Sequence, residues 1–445
     1  MEIEIPYNWS PRSYQLDAWK YYENGGRRAV EVWHRRAGKD LFAINLIVKA
    51  MIQRPGLYWH LLPTYRQGRK IVWNGFTKDG RKFLDHFPKD LIASKNDTEM
   101  RIILKNGAIY QVVGTDDTDS LVGTNPFGCV FSEYSLQDPG AWDLVRPILA
   151  ENDGWALFIY TPRGNNHGKR LHEMAKKNPK WHHAVLKAGS GPESTKRDDD
   201  TPVISDEVIQ DEREAGMSEE LIDQEFYCSF DSPVVGAYYG KQMLEMLQGI
   251  PKRITNVPYE PKIPVHTAWD LGMNDSTSII FFQQINAEVR IMDYLEDNGE
   301  GLQYYIKEMD KKNYVYGDHF APHDINVKEF TAGGKSRLEV ARALGVRFKM
   351  VQRHEIEDGI QAVRDILPRV WIDETKCERL IDALCNYKKK WNDDMKTYSN
   401  TPDHDWSSHA CDAMRYLAWG FRTQKKYTKA PQDKAISDDY NIMSA

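Results

Sequence analysis

One stretch near the amino terminus constrains the fold more than any other part of this sequence. A short run of apolar and β-branched residues, 28–33, leads into a loop, residues 34–40, that contains Gly38-Lys39, and a helical pattern follows over residues 41–51. A strand, loop and helix in this order bind phosphate, because backbone N–H groups at the helix start face the anion and the lysine reaches its outer oxygens. The sequence therefore predicts an α/β domain with Lys39 at a phosphate-binding edge.

The loop departs from the usual phosphate-binding pattern at two positions. Trp33 stands where the first glycine is expected, and Asp40 replaces the Ser or Thr whose hydroxyl usually holds Mg²⁺. Taken alone, the segment also fits an ordinary basic strand-to-helix turn.

A second apolar strand, residues 127–131, leads through Ser132 to the carboxylate of Glu133, as a Walker B strand ends in a carboxylate. Glu133 would there orient the water that attacks the γ-phosphate.

The departure at Asp40 is matched by a second departure at Ser132, after the second strand. Ser132 occupies the position of the acid that usually contributes to Mg²⁺ binding, while Asp40 occupies the position of the usual hydroxyl. A hydroxyl and a carboxylate are thus both present, but they are exchanged between the two loops. We hypothesise that Asp40 and Ser132 hold the metal jointly, directly or through water.

Five short elements follow one another along the first half of the chain: Tyr14-Gln15, Arg35-Arg36-Ala37-Gly38-Lys39, Leu121-Val122-Gly123, Phe131-Ser132-Glu133 and Thr161-Pro162-Arg163-Gly164. In this order they resemble the ATPase domain of the large terminase subunit of tailed bacteriophages. The resemblance implies a P-loop fold of the RecA/ASCE-like class that uses ATP and Mg²⁺.

The resemblance also implies roles for individual residues. Gln15 would contact adenine, Arg35 would be the additional arginine of the Walker A loop, Glu133 would be catalytic, and Thr161 would couple hydrolysis to movement. Further nucleotide contacts would come from residues of the same elements: Tyr14, Arg36, Ala37, Gly38, Lys39 and Asp40. An arginine is expected to neutralise the transition state, and Arg146 is a candidate.

A second group of acids lies in the second half of the chain. Asp270 ends an apolar strand predicted over residues 265–269, and Asp275 lies in the turn that follows. Asp318 and Asp324 follow a strand predicted over residues 314–316. Asp412 lies in the first turn of a helix predicted over residues 408–420, where positions 409, 412 and 416 share one face.

Three well-separated carboxylates on a strand, a strand end and a helix fit a two-metal nuclease, because hard oxygen ligands hold Mg²⁺ or Mn²⁺. An Asp on the first strand followed by Gly is typical of RNase H-like nucleases. Simpler interpretations exist for each element alone: Asp270 also fits a turn rich in Asp and Gly, and Asp412 fits a partner of the helix dipole.

The terminase resemblance continues in this half, on Pro322-His323-Asp324 and on a Ser-His-x-x-Asp-Ala-x-Arg-Tyr element at residues 408–416. It covers about residues 10–420 and implies an RNase H-like nuclease domain with Asp270, Asp324 and Asp412 at its centre. Asp318 is an alternative to Asp324 as the second acid of the nuclease centre. His409 and Asp275 would be auxiliary groups.

Charge divides the chain unevenly, although the total of -6 excludes a uniformly basic nucleic-acid coat. Residues 1–197 hold 29 basic and 21 acidic residues, or +8, whereas residues 198–230 hold 1 and 12, or -11. We therefore predict an ATPase domain over 1–197, an acidic helical lid over 198–232 with a helical stretch at 205–227, a linker over 233–264 and a nuclease domain over 265–424. A mobile tail is predicted over 425–445.

Five scattered cysteines without a Cys-x-x-Cys pair favour a reducing compartment and argue against structural zinc. Residues 1–10 carry acids and no apolar core, so we expect no signal peptide, and no apolar run is long enough to span a membrane. We expect a viral protein of the host cytoplasm that is absent from the mature virion.

The leading functional prediction is a viral genome-packaging motor that moves double-stranded DNA with ATP and cuts concatemers. Its implied partners are double-stranded DNA, the portal protein of the capsid, a small terminase subunit and further copies in a ring, expected to be a pentamer. Two alternatives are a helicase-like repair or restriction ATPase fused to a nuclease, and a non-hydrolytic P-loop assembly factor. Three basic clusters are candidate DNA contacts or solvated faces: Arg66, Arg69 and Lys70; Lys388, Lys389 and Lys390 with Trp391; and Lys335 with Arg337.

Overall fold

The computed structural model describes residues 6–231, 234, 236–272, 276–326, 336–392 and 397–427, without the side chains of residues 119, 120, 391, 392, 397 and 422–427. Asp275, Lys335, the side chain of Trp391 and residues 428–445 of the predicted tail lie outside this description. The chain forms two compact units, one of residues 1–249 and 381–408 and one of residues 250–380 and 409–445. The domain boundaries predicted from composition stay a prediction.

The first unit is built on an eight-stranded sheet in the order β3-β4-β5-β2-β6-β7-β1-β8. Its strands are β1 (Arg28–Trp33), β2 (Leu57–Leu62), β3 (Ile92–Asn96), β4 (Arg101–Leu104), β5 (Ile109–Gly114), β6 (Pro126–Ser132), β7 (Trp155–Tyr160) and β8 (His182–Leu186). Five helices accompany them: α1 (Leu16–Glu23), α2 (Lys39–Gln53), α3 (Tyr65–Gly68), α4 (Gly140–Glu151) and α5 (His167–Lys177).

Parallel pairing places the ends of the motif-bearing strands at one edge of this sheet. Strand β7 lies between β1 and β6 and pairs in parallel with both, while β8 and β2 continue the parallel sheet on either side. The strand that enters the phosphate-binding loop is thus separated from the Glu133 strand by the strand that leads to Thr161. This order is that of RecA/ASCE-like P-loop ATPases, and it confirms the fold class predicted for the first half.

The central strands are apolar along almost their whole length because both faces of the sheet are covered. Leu157 and Ile159 of β7 join the core under α2, whereas Ala156, Phe158 and Tyr160 join the core on the opposite face. Neighbouring residues of a strand point to opposite faces, so one strand serves two cores.

The acidic segment folds as two short helices, α6 (Asp206–Glu214) and α7 (Glu219–Glu225), where the sequence predicted one helical stretch. The break falls at Gly216, whose φ of +98° is accessible to glycine at little cost. Ser205 and Ser218 cap the two helices, each accepting a hydrogen bond from the backbone N–H three residues on.

Residues 381–408 belong to the first unit although they follow most of the second unit in sequence. The guanidinium of Arg170 on α5 donates two hydrogen bonds to the carboxylate of Asp382, which is 2% exposed. Asn166 donates to Asn386, and the ring of His167 packs edge-on against Trp406. The segment contains the hairpin β16 (Lys389–Asn392) and β17 (Thr397–Pro402), and helix α8 (Gly240–Gln248) belongs to the same unit.

The second unit is built on a seven-stranded sheet in the order β14-β13-β10-β11-β12-β15-β9. Its strands are β9 (Ile254–Thr255), β10 (Val265–Asp270), β11 (Thr277–Ile285), β12 (Glu288–Asp297), β13 (Tyr316–Ala321), β14 (Phe348–Met350) and β15 (Val370–Asp373). The helices α9 (Leu302–Lys311), α10 (Arg337–Ala343) and α11 (Ile356–Ile366) lie between strands. Helix α12 (Glu378–Asn386) begins in this unit, but its residues from 381 onward belong to the first unit, and α13 (Ser408–Tyr427) belongs to the second unit from residue 409.

The pairing within this sheet is that of an RNase H-like fold. Strands β10, β11 and β12 form an antiparallel meander, and β13 and β14 add in parallel on the other side of β10. Strands β15 and β9 extend the sheet beyond β12, both in parallel. The topology confirms the fold class predicted for the second half.

One predicted strand is displaced: Tyr316 was the predicted end of a strand, and it is the first residue of β13. The observed strand contains the polar residues Asp318 and His319, which obscured it in the sequence. The sheet accommodates His319 because its Nδ1 lies 2.8 Å from the hydroxyl of Thr267 on the neighbouring strand β10.

All five cysteines are buried free thiols. Among the helices of the described ranges, none is long and apolar enough to cross a membrane.

A buried carboxylate on β1 is held by residues of two strands. Glu31 is fully buried; it accepts a hydrogen bond from the indole of Trp33 and lies 2.7 Å from Nδ1 of His182 on β8. Burial alone would lower the pKa of His182, but the hydrogen bond and charge of Glu31 raise it above its usual value of 6.5. The protonated imidazole therefore stabilises the pairing of β1 with β8.

We expect His182→Gln to lower the free energy of unfolding by on the order of 1 kcal/mol at low pH, and by less as the pH rises. The sign follows from the raised pKa: the folded state binds the proton more tightly, so the stabilisation is full below the unfolded pKa and is lost as the pH rises through the folded pKa. Urea unfolding at a series of pH values measures it. His183→Gln, at an exposed position of the same strand, is the control. A pH-independent difference would contradict the assignment.

Candidate functional site

The phosphate-binding loop joins the end of β1 to the start of α2. Gly38 precedes the helix with a φ of +81°, and a Cβ atom there would lie 3.3 Å from the Arg12 guanidinium, so both backbone and space favour glycine. Arg36 also has a positive φ, of +73°. The chain turns sharply at this point and directs the start of α2 toward the carboxyl edge of the sheet, where anions bind.

Lys39 is the first residue of α2, and its ammonium group connects the ends of three strands. It donates to the backbone carbonyl of Trp33 at 3.1 Å and to the hydroxyl of Thr161 at 2.7 Å. It also lies 3.8 Å from the carboxylate of Glu133. The structure therefore brings together Lys39, Glu133 and Thr161. The first and the last of these residues are 122 positions apart in the sequence.

Glu133 directly follows β6 and has a left-handed backbone with a φ of +57°. A glutamate in this conformation is uncommon, and such strained positions concentrate at functional sites. Before it, the hydroxyl of Ser132 donates to Oδ1 of Asp40 at 2.6 Å. The two exchanged residues are thus direct hydrogen-bond partners.

The amino-terminal motif holds the loop from one side. Gln15 is buried; its amide nitrogen donates to the carbonyl of Ala37 at 3.0 Å, and its amide oxygen accepts from the N–H of Arg12. The hydroxyl of Tyr14 donates to the same Ala37 carbonyl, at 3.1 Å. In this structure both ends of the Gln15 amide are engaged by protein groups, and the predicted contact of Gln15 with adenine stays a prediction.

A cavity of about 1340 Å³ opens over the loop. Predicted site residues in its wall are Tyr14, Arg35, Arg36, Gly38, Lys39, Asp40, Glu133 and Thr161. Cationic side chains outside the predicted site also line it: Arg12, Lys70, Arg81, Arg163 and Arg197. So many cations around one cavity favour a polyanionic ligand such as a nucleoside triphosphate.

The acidic segment contacts the same loop. The carboxylate of Glu225, at the end of α7, lies 2.6 Å from the guanidinium of Arg163, and both line the cavity. The backbone carbonyl of Glu225 accepts from the N–H of Arg35. The sequence motifs did not predict this contribution, because residue 225 lies in a segment with no nucleotide-binding pattern.

Arg146, the candidate for a transition-state arginine, lies on α4. Its side chain is exposed and pairs loosely with Asp143 at 3.7 Å, one turn earlier on the same helix. It does not line the cavity of its own chain. The role of Arg146 as a transition-state arginine stays a prediction.

The second group of candidate residues lies at one edge of the RNase H-like sheet. Asp270 ends β10, and its carboxylate lies 3.2 Å from Nδ1 of His409 on α13. Burial and the charge of Asp412 raise the pKa of Asp270 to about 6, against the lowering effects of His409 and Arg415. Asp412 in turn accepts two hydrogen bonds from Arg415, at 2.5 and 3.1 Å.

The register of β13 separates the two competing acids. Strands β10 and β13 run in parallel, with Ala268 beside Phe320, so Asp324, just past β13, lies at the same end of the sheet as Asp270. Asp318 instead lies within β13, 2.7 Å from the ammonium of Lys349, toward the opposite end. Asp324 thus lies at the Asp270 end of the sheet and Asp318 does not, while the role of either acid stays a prediction.

Tyr416 on α13 is affected by the charges of the same three acids. Burial, followed by the charges of Asp270 and Asp412 and, more weakly, Asp324, raises the pKa of Tyr416. All three acids therefore act on one side chain of α13. Within the described ranges, however, no three His, Cys, Asp or Glu side chains are arranged closely enough to hold a metal ion.

Three of the predicted DNA contacts, Arg337, Arg69 and Lys388, have protein partners in this structure. Arg337 donates to the carbonyls of Leu271 and Gly272, directly after Asp270, so its guanidinium holds the loop that follows the candidate nuclease acid. Arg69 donates to the hydroxyl of Tyr65, and Lys388 lies 3.7 Å from Asp405. Lys70 lines the cavity of the first unit.

Comparisons with known proteins follow the same division. No family model matches the chain. The chain is 23% identical over 403 residues to the large terminase subunit of Escherichia phage T5, covering 86% of this chain and 84% of that protein. It is 25% identical over 161 residues to the large terminase subunit of Thermus virus P23-45, covering 33% of each.

Two solved structures show weaker likenesses. The large terminase of a thermophilic bacteriophage in complex with ADP aligns with a TM-score of 0.41 at 13% identity, over 92% of this chain and 98% of that one. The nuclease domain of the large terminase of bacteriophage SPP1 with bound Mn aligns with a TM-score of 0.29 at 13% identity, over 36% of this chain and 86% of that one. The chain is thus similar in sequence, over most of its length, to the large terminase subunit of a bacteriophage.

Proposed function

We propose that this chain is the large subunit of a viral DNA-packaging motor, which couples ATP hydrolysis to movement of double-stranded DNA and cuts concatemers with a metal-dependent nuclease. One observation carries the proposal: a single chain joins a Lys39–Glu133–Thr161 cluster on a RecA/ASCE-like sheet to an Asp270–His409–Asp412 cluster on an RNase H-like sheet. The similarity to the phage T5 large terminase subunit over 86% of the chain supports it.

The first cluster can perform phosphoryl transfer to water. Lys39 would bind the outer phosphates with its ammonium group, exchanging its bonds to Trp33 and Thr161 for phosphate oxygens. Glu133 would accept a hydrogen bond from the attacking water and orient it. Asp40 and Ser132 would hold Mg²⁺, which neutralises charge on the phosphates when bound. Two protein groups suffice there, because Mg²⁺ takes its other ligands from phosphates and water.

Movement of Lys39 would be transmitted to Thr161 through their hydrogen bond, which supports a coupling role for Thr161. We also propose that residues 198–232 act as a lid on the ATPase domain of residues 1–197. The contact of Glu225 with Arg163 and Arg35 supports this role, because it joins the acidic segment to the cavity wall. In the proposed domain organisation, a linker over 233–264 and a nuclease domain over 265–424 follow the lid.

The second cluster would hold Mg²⁺ or Mn²⁺ for DNA cleavage. We propose Asp270, Asp412 and Asp324 as the ligands, with His409 orienting Asp270. The three carboxylates are not close enough to hold a cation in this structure, so they would have to move together when the cation binds. The register of β13 supports Asp324 over Asp318. Bound cations activate water and stabilise the leaving oxygen. Arg415 would keep Asp412 in place through its two hydrogen bonds.

The proposed partners are double-stranded DNA, the capsid portal protein, a small terminase subunit and further copies in a ring, a pentamer in our proposal. The proposed place of action is the host cytoplasm during assembly. Exposure of Arg146 supports a ring, since an exposed arginine can reach a neighbouring copy.

Two other functions fit less well. A helicase-like ATPase would need a second RecA-like sheet, and the described ranges contain one such sheet beside the RNase H-like sheet and a hairpin. A non-hydrolytic assembly factor would not need Glu133 beside Lys39 at 3.8 Å. ATPase assays separate this last alternative from the motor.

The first test of the proposed function concerns Lys39. We expect Lys39→Ala to lower DNA-stimulated ATP hydrolysis at least about a hundredfold, because the removed ammonium is a preorganised charge at the reacting phosphates. Phosphate release in the presence of duplex DNA measures this. Lys49→Ala is the matched control, since Lys49 lies on the same helix but pairs with Glu23. Hydrolysis that persists in Lys39→Ala would contradict the nucleotide site.

The second prediction tests the exchanged residues at positions 40 and 132. Asp40→Ser should weaken nucleotide-dependent Mg²⁺ binding about tenfold or more, because it leaves two hydroxyls and no carboxylate. Ser132→Asp should also weaken it, because two carboxylates would meet within hydrogen-bond distance. The double variant Asp40→Ser/Ser132→Asp restores the usual arrangement and should recover binding. Calorimetry with a non-hydrolysable ATP analogue measures these affinities, and unchanged ATPase activity in Asp40→Ala would exclude Asp40 from the site.

The third prediction concerns the nuclease. We expect Asp270→Asn to abolish cleavage of supercoiled plasmid with Mg²⁺ or Mn²⁺, because a neutral amide is a far weaker ligand for a hard cation. Asp318→Asn should cleave like the unmodified protein, since that carboxylate pairs with Lys349 away from the proposed ligands. Gel electrophoresis of nicked and linear products measures both. If the two variants behave in the opposite way, the proposed ligand set is wrong.

A further inference from the structure

His60 lies in the middle of β2, a strand of otherwise apolar and aromatic residues. It pairs with Val112 of β5 on one side and with Val130 of β6 on the other. Its neighbours Tyr58 and Leu62, which point to the same face of the sheet, belong to the core under α2. The imidazole is fully buried. A polar ring in such a place requires polar partners.

The two ring nitrogens have different surroundings. Nδ1 lies 3.2 Å from the hydroxyl of Tyr110, which is itself fully buried. Nε2 is buried and has no hydrogen-bond partner among the residues that the structure describes. The carboxylate oxygen Oδ1 of Asp40 is 3.9 Å from Nε2, too far for a hydrogen bond but close enough for electrostatic attraction between the carboxylate and an N–H group.

These surroundings select one tautomer of the imidazole. If the Tyr110 hydroxyl donates to Nδ1, the ring proton lies on Nε2 and faces the Asp40 carboxylate. The other tautomer would direct the lone pair of Nε2 at a carboxylate oxygen, which is repulsive. The favoured arrangement is therefore a chain of donors that runs from Tyr110 through His60 toward Asp40.

The same carboxylate oxygen already accepts the hydrogen bond of Ser132, at 2.6 Å. Oδ1 of Asp40 thus faces two donors of the protein, one from the end of β6 and one from β2. The Asp40 side chain also lines the cavity over the phosphate-binding loop.

We propose that His60 is a positioning residue for the nucleotide-bound divalent cation: its Nε2–H and the Ser132 hydroxyl together fix Oδ1 of Asp40, which leaves the second oxygen of the carboxylate to serve the cation. The inference rests on the proposed nucleotide site. Residue 60 lies outside all the sequence motifs, and its role follows only from the sheet order that places β2 beside β6.

The exchange of Asp and Ser explains why an additional donor is useful in this chain. A carboxylate on a flexible stem can turn either oxygen toward a cation, whereas a hydroxyl offers a single oxygen. Partners behind a ligand fix its orientation, and their loss typically weakens metal affinity about 10- to 100-fold. His60 supplies this support from within the sheet.

The test measures Mn²⁺ affinity in the presence of a non-hydrolysable ATP analogue, by the electron paramagnetic resonance of free Mn²⁺. We expect His60→Leu to weaken Mn²⁺ binding about tenfold. His60→Gln should retain more affinity, because the glutamine amide keeps a donor near the position of Nε2. Binding of a fluorescent ATP analogue in EDTA should be unchanged in both variants, since that step does not use the cation.

Tyr110→Phe provides a second and milder variant, which keeps the aromatic ring and removes only the hydroxyl. It should weaken Mn²⁺ affinity by a few-fold, because the tautomer of His60 is no longer fixed, and it should add nothing to His60→Leu. His172→Leu, which removes another buried imidazole of the same unit, is the control for loss of a core histidine. Thermal unfolding of each variant verifies the fold.

Three results would overturn the role of His60: unchanged Mn²⁺ affinity in His60→Leu, equal affinities in His60→Leu and His60→Gln, or a parallel loss of metal-free nucleotide binding. A failure of the nucleotide site itself is distinguishable, because the unmodified protein would then bind neither the ATP analogue nor nucleotide-dependent Mn²⁺.

Discussion

A buried positive charge organises the first unit. The ammonium group of Lys39, whose side chain is 7% exposed, is held by the carbonyl that ends β1 and the hydroxyl that follows β7, with the carboxylate that follows β6 nearby. A charge in this position is costly unless it is surrounded by oxygen atoms. The parallel order of the three strands supplies these oxygens at one edge. Sheet order, loop conformation and the position of Glu133 therefore depend on one another.

The same requirement governs other buried polar groups of the chain. Glu31 is satisfied by Trp33 and His182, and Asp382 by the fork of Arg170. Both carboxylates are almost completely buried and both join segments distant in sequence. Burial makes each pairing specific, since a partner lost in the interior cannot be replaced by water. On β2, the indole Nε1 of Trp59 and Nε2 of His60 are both buried without a hydrogen-bond partner within the described residues. His60 is assigned a role because its Nε2 faces the carboxylate of Asp40.

The sequence allowed prediction of the parts that depend on local pattern. Apolar runs that end in Gly-Lys or in Ser-Glu predicted β1 and β6 and their loops, since strand periodicity and helix starts are local properties. Parts set by distant pairing were not predictable. The contribution of Glu225 depends on a contact with Arg163 across 62 residues of chain. Asp318 and Asp324 are identical in type, and only the register of β13 against β10 distinguishes them. His60 could not be predicted as a site residue, because an apolar strand pattern does not show that its ring faces Asp40 at the start of α2.

The path of the chain between its two units has a consequence for how such a protein can evolve. Residues 381–408 belong to the first unit, where Asp382 pairs with Arg170, yet their last residue, Ser408, begins the helix that carries His409 and Asp412. A single recombination event near residue 250 would therefore transfer this segment to a foreign ATPase that lacks its arginine and asparagine partners. A buried carboxylate without its guanidinium would oppose folding of the hybrid. The two halves are thus expected to be inherited together, and exchange between lineages would require simultaneous breakpoints on both sides of the segment.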